Sequence, residues 1–237
     1  MIATTTYLTI AAQGHAEIEV RRSRFLCTVQ RVDSEGAARD VVSSIRKQQW
    51  DAGHHCSAMI LGADRAVQRS NDDGEPSGTA GAPMLEALRG HGISDVIAVV
   101  SRWFGGTLLG SGGLARAYGD GIRAALEDLP LVCRTLVQEY EVAVDHANAG
   151  RVENELRGRG VQVISTQYAE HALIRVGAVA GHRAQLESTM AEVLSERVDL
   201  KPLGASWSDA LLSGAPKRAQ ISTREDQARA TLYPRRS

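Results

Sequence analysis

The sequence predicts an α+β protein made of two consecutive domains. Runs in which apolar and polar residues alternate are interleaved with runs of helical period along residues 1–130. From 135 to 206 the same signals fall in the order β-α-β-β-α-β, the split βαβ pattern of ferredoxin-like domains. Pro130 closes the first series and places the boundary near 130–134.

In the first domain Glu17–Val20 and Phe25–Val29 read as strands, the second with a period of two. Asp33 and Ser34 offer an N-cap to a helix that ends near Gln49, with Ala37, Val41 and Ile45 on one face. After Gly53, His55–Leu61 returns to strand, and Ala66–Arg69 can pair with it across a turn at Gly62-Ala63-Asp64. Pro83 suits the first turn of a short helix, Ala82–Arg89. Val96–Val100 has no polar alternation and predicts a strand buried on both faces. A glycine loop then leads to a helix from Leu114 whose inner face is Leu114, Tyr118, Ile122, Ala125, Leu126 and Leu129.

The second domain repeats these signals more regularly. Strands are expected at Gln138–Asp145, Val161–Tyr168, His171–Val179 and Val198–Leu203, with helices at His146–Arg157 and Gly181–Ser195. Residues 207–237 lack periodicity and read as a disordered, weakly basic tail.

Composition bounds the function. Of the 237 residues 43% are apolar and 23% charged, as in ordinary globular proteins. Residues 1–130 carry 13 Lys/Arg against 15 Asp/Glu, so neither half is a polyelectrolyte and any nucleic-acid contact must come from a local patch. Three scattered cysteines, Cys27, Cys56 and Cys133, exclude a disulfide framework. No spanning or signal segment is read, which predicts a cytoplasmic protein with no membrane partner.

Residues 53–121 hold 14 of the 23 glycines and all the unusual chemistry. Asp72, Asp73 and Glu75 could ligate a hard cation, could accept from clustered N–H groups, or could form an ordinary solvated turn. His54 and Cys56 share one strand face, a spacing compatible with zinc or a nucleophile pair, although too few further ligands are in view. A buried, hydrogen-bonded pair is the plainer reading. The run Gly110-Ser111-Gly112-Gly113, with Arg102 before it and Arg116 after it, could cradle a phosphate or simply let a corner pack. It has neither the Walker nor the Rossmann spacing, so no cofactor is expected. Arg21, Arg22 and Arg24 form a small basic cluster, and Trp103-Phe104 could stack on bases.

Taken together, Ala52-x-His54-x-Cys56, the run from Asp72 to Gly81 with Pro83, and Arg102-Trp103-Phe104-Gly105-Gly106-x-x-Leu109-Gly110-x-Gly112-Gly113-Leu114-x-Arg116-Ala117-Tyr118 closely resemble the IMPACT/YigZ family. Ser23-Arg24-Phe25 fits as well, and the likeness spans about 15–128. Ser57 and Trp103 depart from it, standing where an aromatic residue and a tyrosine are usual.

The resemblance implies an N-terminal domain like ribosomal protein S5 domain 2. It also implies a ferredoxin-like C-terminal domain similar to the last domain of elongation factor G. It further implies a non-enzymatic, translation-associated regulator that binds RNA, the ribosome or a translation factor. On this reading Arg102, Gly105, Gly106, Gly110, Gly112, Gly113 and Arg116 are candidate anion or RNA ligands. His54, Cys56, Asp72, Asp73 and Glu75 share the motif face without an assigned role, and no metal is expected. The alternative is a metal- or phosphate-dependent, hydrolase-like enzyme using the acidic loop, His54 and the glycine loop.

Overall fold

The computed structural model describes residues 4–211 apart from 180, 197 and 199. The chain divides into two compact units, one built on residues up to Cys133 and the other on Arg134–Ala210. The first unit contains β1 (Thr6–Ile10), β2 (Gly14–Val20), β3 (Ser23–Arg31), α1 (Glu35–Gln48), β4 (His54–Leu61), β5 (Val67–Asn71), α2 (Gly81–Gly90), β6 (Val96–Trp103) and α3 (Gly110–Leu126). Strand β7 (Leu131–Val144) carries the chain into the second unit. There it is followed by α4 (His146–Gly158), β8 (Gln162–Tyr168), β9 (Ala172–Val179), α5 (Arg183–Leu194) and β10 (Lys201–Leu211).

The first sheet runs β2-β3-β6-β4-β5, and every neighbouring pair is antiparallel. Its centre is β6, buried from Val96 to Arg102 because the sheet is covered on both sides. Odd and even positions of β6 serve different helices. Ile97 and Val99 join Met59, Leu61 and the α1 residues Ala38 and Ile45 in one cluster. On the opposite face Phe25 meets Tyr118 of α3 edge-on, with ring centroids 5.2 Å apart. Helix α1 starts as the sequence suggests, with the Ser34 hydroxyl accepting from the Ala37 amide at 3.2 Å.

The second unit has the strand order β10-β7-β9-β8. This is the ferredoxin-like order, and the α+β class expected for the chain is what the structure shows. Its core gathers Val152 and Leu156 of α4, Leu186 and Met190 of α5, and Ile174 and Val176 of β9.

Three expectations need correction. Strand β1 escaped the sequence reading. Its five residues are all buried, so it shows no polar alternation, although Thr, Tyr, Leu and Ile suit a strand. The glycine loop does not end at Leu114, because α3 begins at Gly110 and the four residues Gly110-Ser111-Gly112-Gly113 form its first turn. The disordered tail expected from 207 does not start there, since β10 extends to Leu211. Polar pairing holds this stretch: Arg134 Nε donates to Asp209 at 2.9 Å, and Gln162 Nε2 donates to the Ser208 hydroxyl at 2.6 Å. The remainder of that expected tail, 212–237, lies outside the described residues.

Packing of α3 on the sheet depends on Gly121. A methyl group there would sit 2.3 Å from Cys27 Sγ, far inside van der Waals contact. Gly121→Ala should therefore destabilise the protein by about 1–3 kcal/mol, the usual cost of overpacking. In a Cys27→Ala background the same change should cost under about 1 kcal/mol, because the clashing atom is gone. Urea denaturation of the four-variant cycle checks both values.

Candidate functional site

The motif residues converge at one end of the first sheet. The register there sets His54 beside Arg102 and Phe25 on the other side of Arg102. Beyond Asn71, which pairs with Ser57, the chain leaves β5 and folds back over the start of β4. Asp73 and Gly74 both have positive φ, 44° and 86°, which makes the reversal tight. The Asp73 carbonyl then lies 2.8 Å from His54 Nδ1, and the Asp73 carboxylate accepts from the His55 amide at 2.6 Å.

Glu75 is the centre of this region. Its Oε1 accepts from Arg102 Nη1 at 2.6 Å and from the Tyr118 hydroxyl at 2.8 Å. Both charged side chains are almost completely buried, 3% exposed for Glu75 and 7% for Arg102. Arg102 Nη2 also reaches the Ser23 hydroxyl at 3.4 Å, which in turn accepts from the Gly105 amide at 3.1 Å. The Cys56 thiol completes the chain of contacts, 3.0 Å from the Asp72 carbonyl and 3.3 Å from the Tyr118 hydroxyl. One buried network thus joins the acidic loop, β3, β4, β6 and α3.

The other two acids are structural acceptors as well. One Asp72 oxygen takes the amides of Ala80 and Gly81 at 3.0 and 2.8 Å, and the other takes that of Gly78 at 2.8 Å. Helix α2 has Ala80 at its N-cap and no side chain there to cap it, so Asp72 caps it from eight residues upstream. Asp73 is shared between the His55 amide and Arg46 Nη2, the latter at 2.7 Å. Of the three sequence readings for this loop, acceptance from clustered N–H groups is the one realised. Among the described residues no group of His, Cys, Asp and Glu has a metal-holding arrangement.

Electrostatics agrees with a structural role. Burial pushes the Cys56 thiol up to about 12, too high for a thiolate nucleophile near neutrality. Burial also raises the Tyr118 phenol far above its ordinary range. Burial alone would raise Asp72, but the amides of Gly78, Gly81 and Ala80 outweigh it and hold the carboxyl below its usual value. Asp73 is likewise held low, burial being outweighed by Arg46 and the His55 amide. His55 is lowered chiefly by burial, and its Nδ1 lies 2.8 Å from the Ser101 hydroxyl.

The glycines divide by role. A side chain at Gly105 would strike the Arg22 backbone at 2.0 Å, so that glycine lets two loops touch. Gly113 packs against Leu109. Gly106, Gly110 and Gly112 face open space, and α3 has no side-chain cap, so the amides of its first turn remain available. Arg116 is exposed on α3, whereas Arg102, expected as its companion, is turned inward. Its charge is neutralised by Glu75 and does not reach the surface. Sequence reasoning missed Ser23 and Arg46, which act across the fold, and Asn71, whose side-chain oxygen accepts locally from the Asp73 amide at 2.8 Å. It also passed over the exposure of Phe104 and Leu108, 59% and 81%.

Two outcomes are expected. Arg102→Ala should cost about 3–5 kcal/mol by leaving Glu75 charged and unpaired, and Tyr118→Phe about 1–2 kcal/mol. Thermal denaturation of both variants checks the ranking. Stability should also fall on acidification. The depressed pKa values of Asp72 and Asp73 mean their contribution is complete above pH about 4 and lost as pH drops through their folded values. His55, also depressed, adds a loss of the same sign that starts below about pH 6.5. Urea midpoints measured down the pH scale should fall more gently below pH about 4 for Asp72→Asn than for the parent.

With this geometry in place, the chain can be set beside known proteins. The Impact N-terminal domain family matches residues 21–126, and a domain family of unknown function (DUF1949) matches 142–197. The chain is 38% identical over 196 residues to the IMPACT family member YvyE of Bacillus subtilis, covering 83% of this chain and 90% of that protein. It is 38% identical over 176 residues to the IMPACT family member YigZ of Escherichia coli, covering 73% and 86%. A solved structure titled as that of a hypothetical protein is similar at TM-score 0.59 and 34% identity, over 85% of this chain and 98% of its own. The buried network and the loops it joins fall within the span matched by the Impact N-terminal domain, and the chain belongs to the IMPACT family.

Proposed function

We propose that this protein is a non-enzymatic, translation-associated regulator that works in the cytoplasm by docking on RNA, the ribosome or a translation factor. The observation that carries the reading is the inward use of the motif's chemistry. Both oxygens of Asp72, both of Asp73 and Oε1 of Glu75 are already occupied by protein donors. The same contacts hold three loops rigidly in place and leave Phe104, Leu108, Arg116 and the first turn of α3 facing outward. A preorganised, exposed surface of this kind suits binding more than bond-breaking. The hydrolase-like alternative would need these carboxylates and His54 to exchange their present partners for metal or substrate.

Family membership supplies the link to translation, through the resemblance to regulators and ribosomal domains. The uncapped amides of α3 and the exposed Arg116, which is in no ion pair among the described residues, supply the affinity for anionic groups.

Sedimentation with ribosomes that retain their bound factors, at about 50 and 300 mM salt, tests the reading. The parent should pellet at the lower salt. Arg116→Glu and Gly112→Glu should reduce the pelleted fraction severalfold, because each alters only exposed groups. A parent that stays in the supernatant, or variants that pellet equally well, would end the proposal.

A further inference from the structure

Val20 pairs with Ser23, so the turn joining β2 to β3 consists of two residues, Arg21 and Arg22. Both have positive φ, 47° and 68°. Such a turn favours asparagine and glycine, and an L-arginine at either place is strained. Local strain of this kind calls for a reason outside the fold itself. Both arginines are exposed, and neither is in an ion pair among the described residues. Among the described residues Arg21 reaches the Leu108 carbonyl, at 3.4 Å.

The tip is also held firmly. Gly105 lies flat against the Arg22 backbone, and its amide is tied to the Ser23 hydroxyl. This contact brings the two arginines beside Phe104 and Leu108, two of the most exposed large apolar side chains in the described structure. Arg24 follows on β3, with its guanidinium 3.8 Å from the centre of the Trp103 ring and a loose contact of 3.8 Å to Glu17.

We propose that the Arg21–Arg22 tip, Phe104 and Leu108 form a docking surface for an acidic protein segment that carries apolar anchor side chains. Charge complementarity selects an acidic partner, since the tip presents two cations that no acid among the described residues pairs with. Leu108 selects a protein over a nucleic acid: an aliphatic side chain offers no ring for a base to stack on, but it fits an apolar pocket or anchor. The clamp by Gly105 and Ser23 sets the surface in place before binding and lowers the ordering cost. The inference rests on the reading of this end of the sheet as an interface and narrows it to a protein partner.

The test uses the whole chain and three fluorescent probes. These are a peptide alternating Glu with Leu and Phe, its Lys counterpart, and a single-stranded RNA of similar length. The acidic peptide should bind, and salt should weaken it. The double variant Arg21→Asn/Arg22→Gly should lose roughly tenfold or more in affinity while its Tm rises by about 2–4 °C, because the turn is relieved of strain. Leu108→Ser should lose affinity without changing Tm. No binding of the acidic peptide, binding unaffected by these variants, or RNA binding that depends on Arg21 and Arg22 more strongly than peptide binding would each overturn the proposal. Ribosome sedimentation that persists in the double variant would leave the translation reading standing, so the two ideas can fail separately.

Discussion

Everything at the motif-bearing end of the first sheet depends on the buried pairing of Glu75 with Arg102. Two opposite charges have been taken out of water there, which is tolerable only when their remaining hydrogen-bonding groups are also satisfied. Tyr118 and Ser23 do most of that work, although Arg102 Nε has no hydrogen-bond partner among the described residues. An apolar pair of the same volume could be at least as stable, so stability alone is a poor reason for this arrangement. What the pair supplies is registry. Glu75 can satisfy both Arg102 and Tyr118 only when the acidic loop, β6 and α3 stand in a single relative position.

That constraint explains the loops around it. With Glu75 anchored, Asp72 falls where it can cap α2, and Asp73 falls where it meets His55 and Arg46. Three carboxylates in four residues would repel one another in isolation. Here each has its own donors, so the repulsion is offset locally and the segment becomes a strut. The same anchoring positions Ser23 to receive the Gly105 amide, and through it the β2–β3 turn. Rigidity therefore passes from a buried ion pair to an exposed tip by short, directed contacts.

Much of this was legible in the sequence, and the rest was hidden for physical reasons. The period of two placed His54 and Cys56 on one face and His55 on the other, and the structure agrees: Cys56 meets Tyr118, while His55 meets Ser101. The unbroken apolar run at Val96–Val100 signalled burial on both faces, and Ser34 was readable as a cap. Partners remote in sequence were not readable. Arg102 looked like a surface cation because its acid lies 27 residues away, and Asp72 gave no hint that it caps a helix beginning at Gly81. Gly110–Gly113 looked like a loop because glycine disfavours helices, yet here the glycines form a first turn.

The division between inward and outward groups bears on what a family pattern records. Apart from Phe104 and Arg116, the motif's side chains point mostly into the network: Cys56, Glu75, Arg102 and Tyr118 are buried. A pattern dominated by such residues describes a scaffold and says little about what is bound. Leu108 occupies one of the two open positions between Gly106 and Leu109, and Arg21 and Arg22 precede the Ser23-Arg24-Phe25 match. Those positions can change without disturbing the ion pair, because none of their side chains enters it. The scaffold can thus stay constant while the exposed tip is altered residue by residue. Choice of partner within such a family would then be set by positions that the identifying motif leaves open.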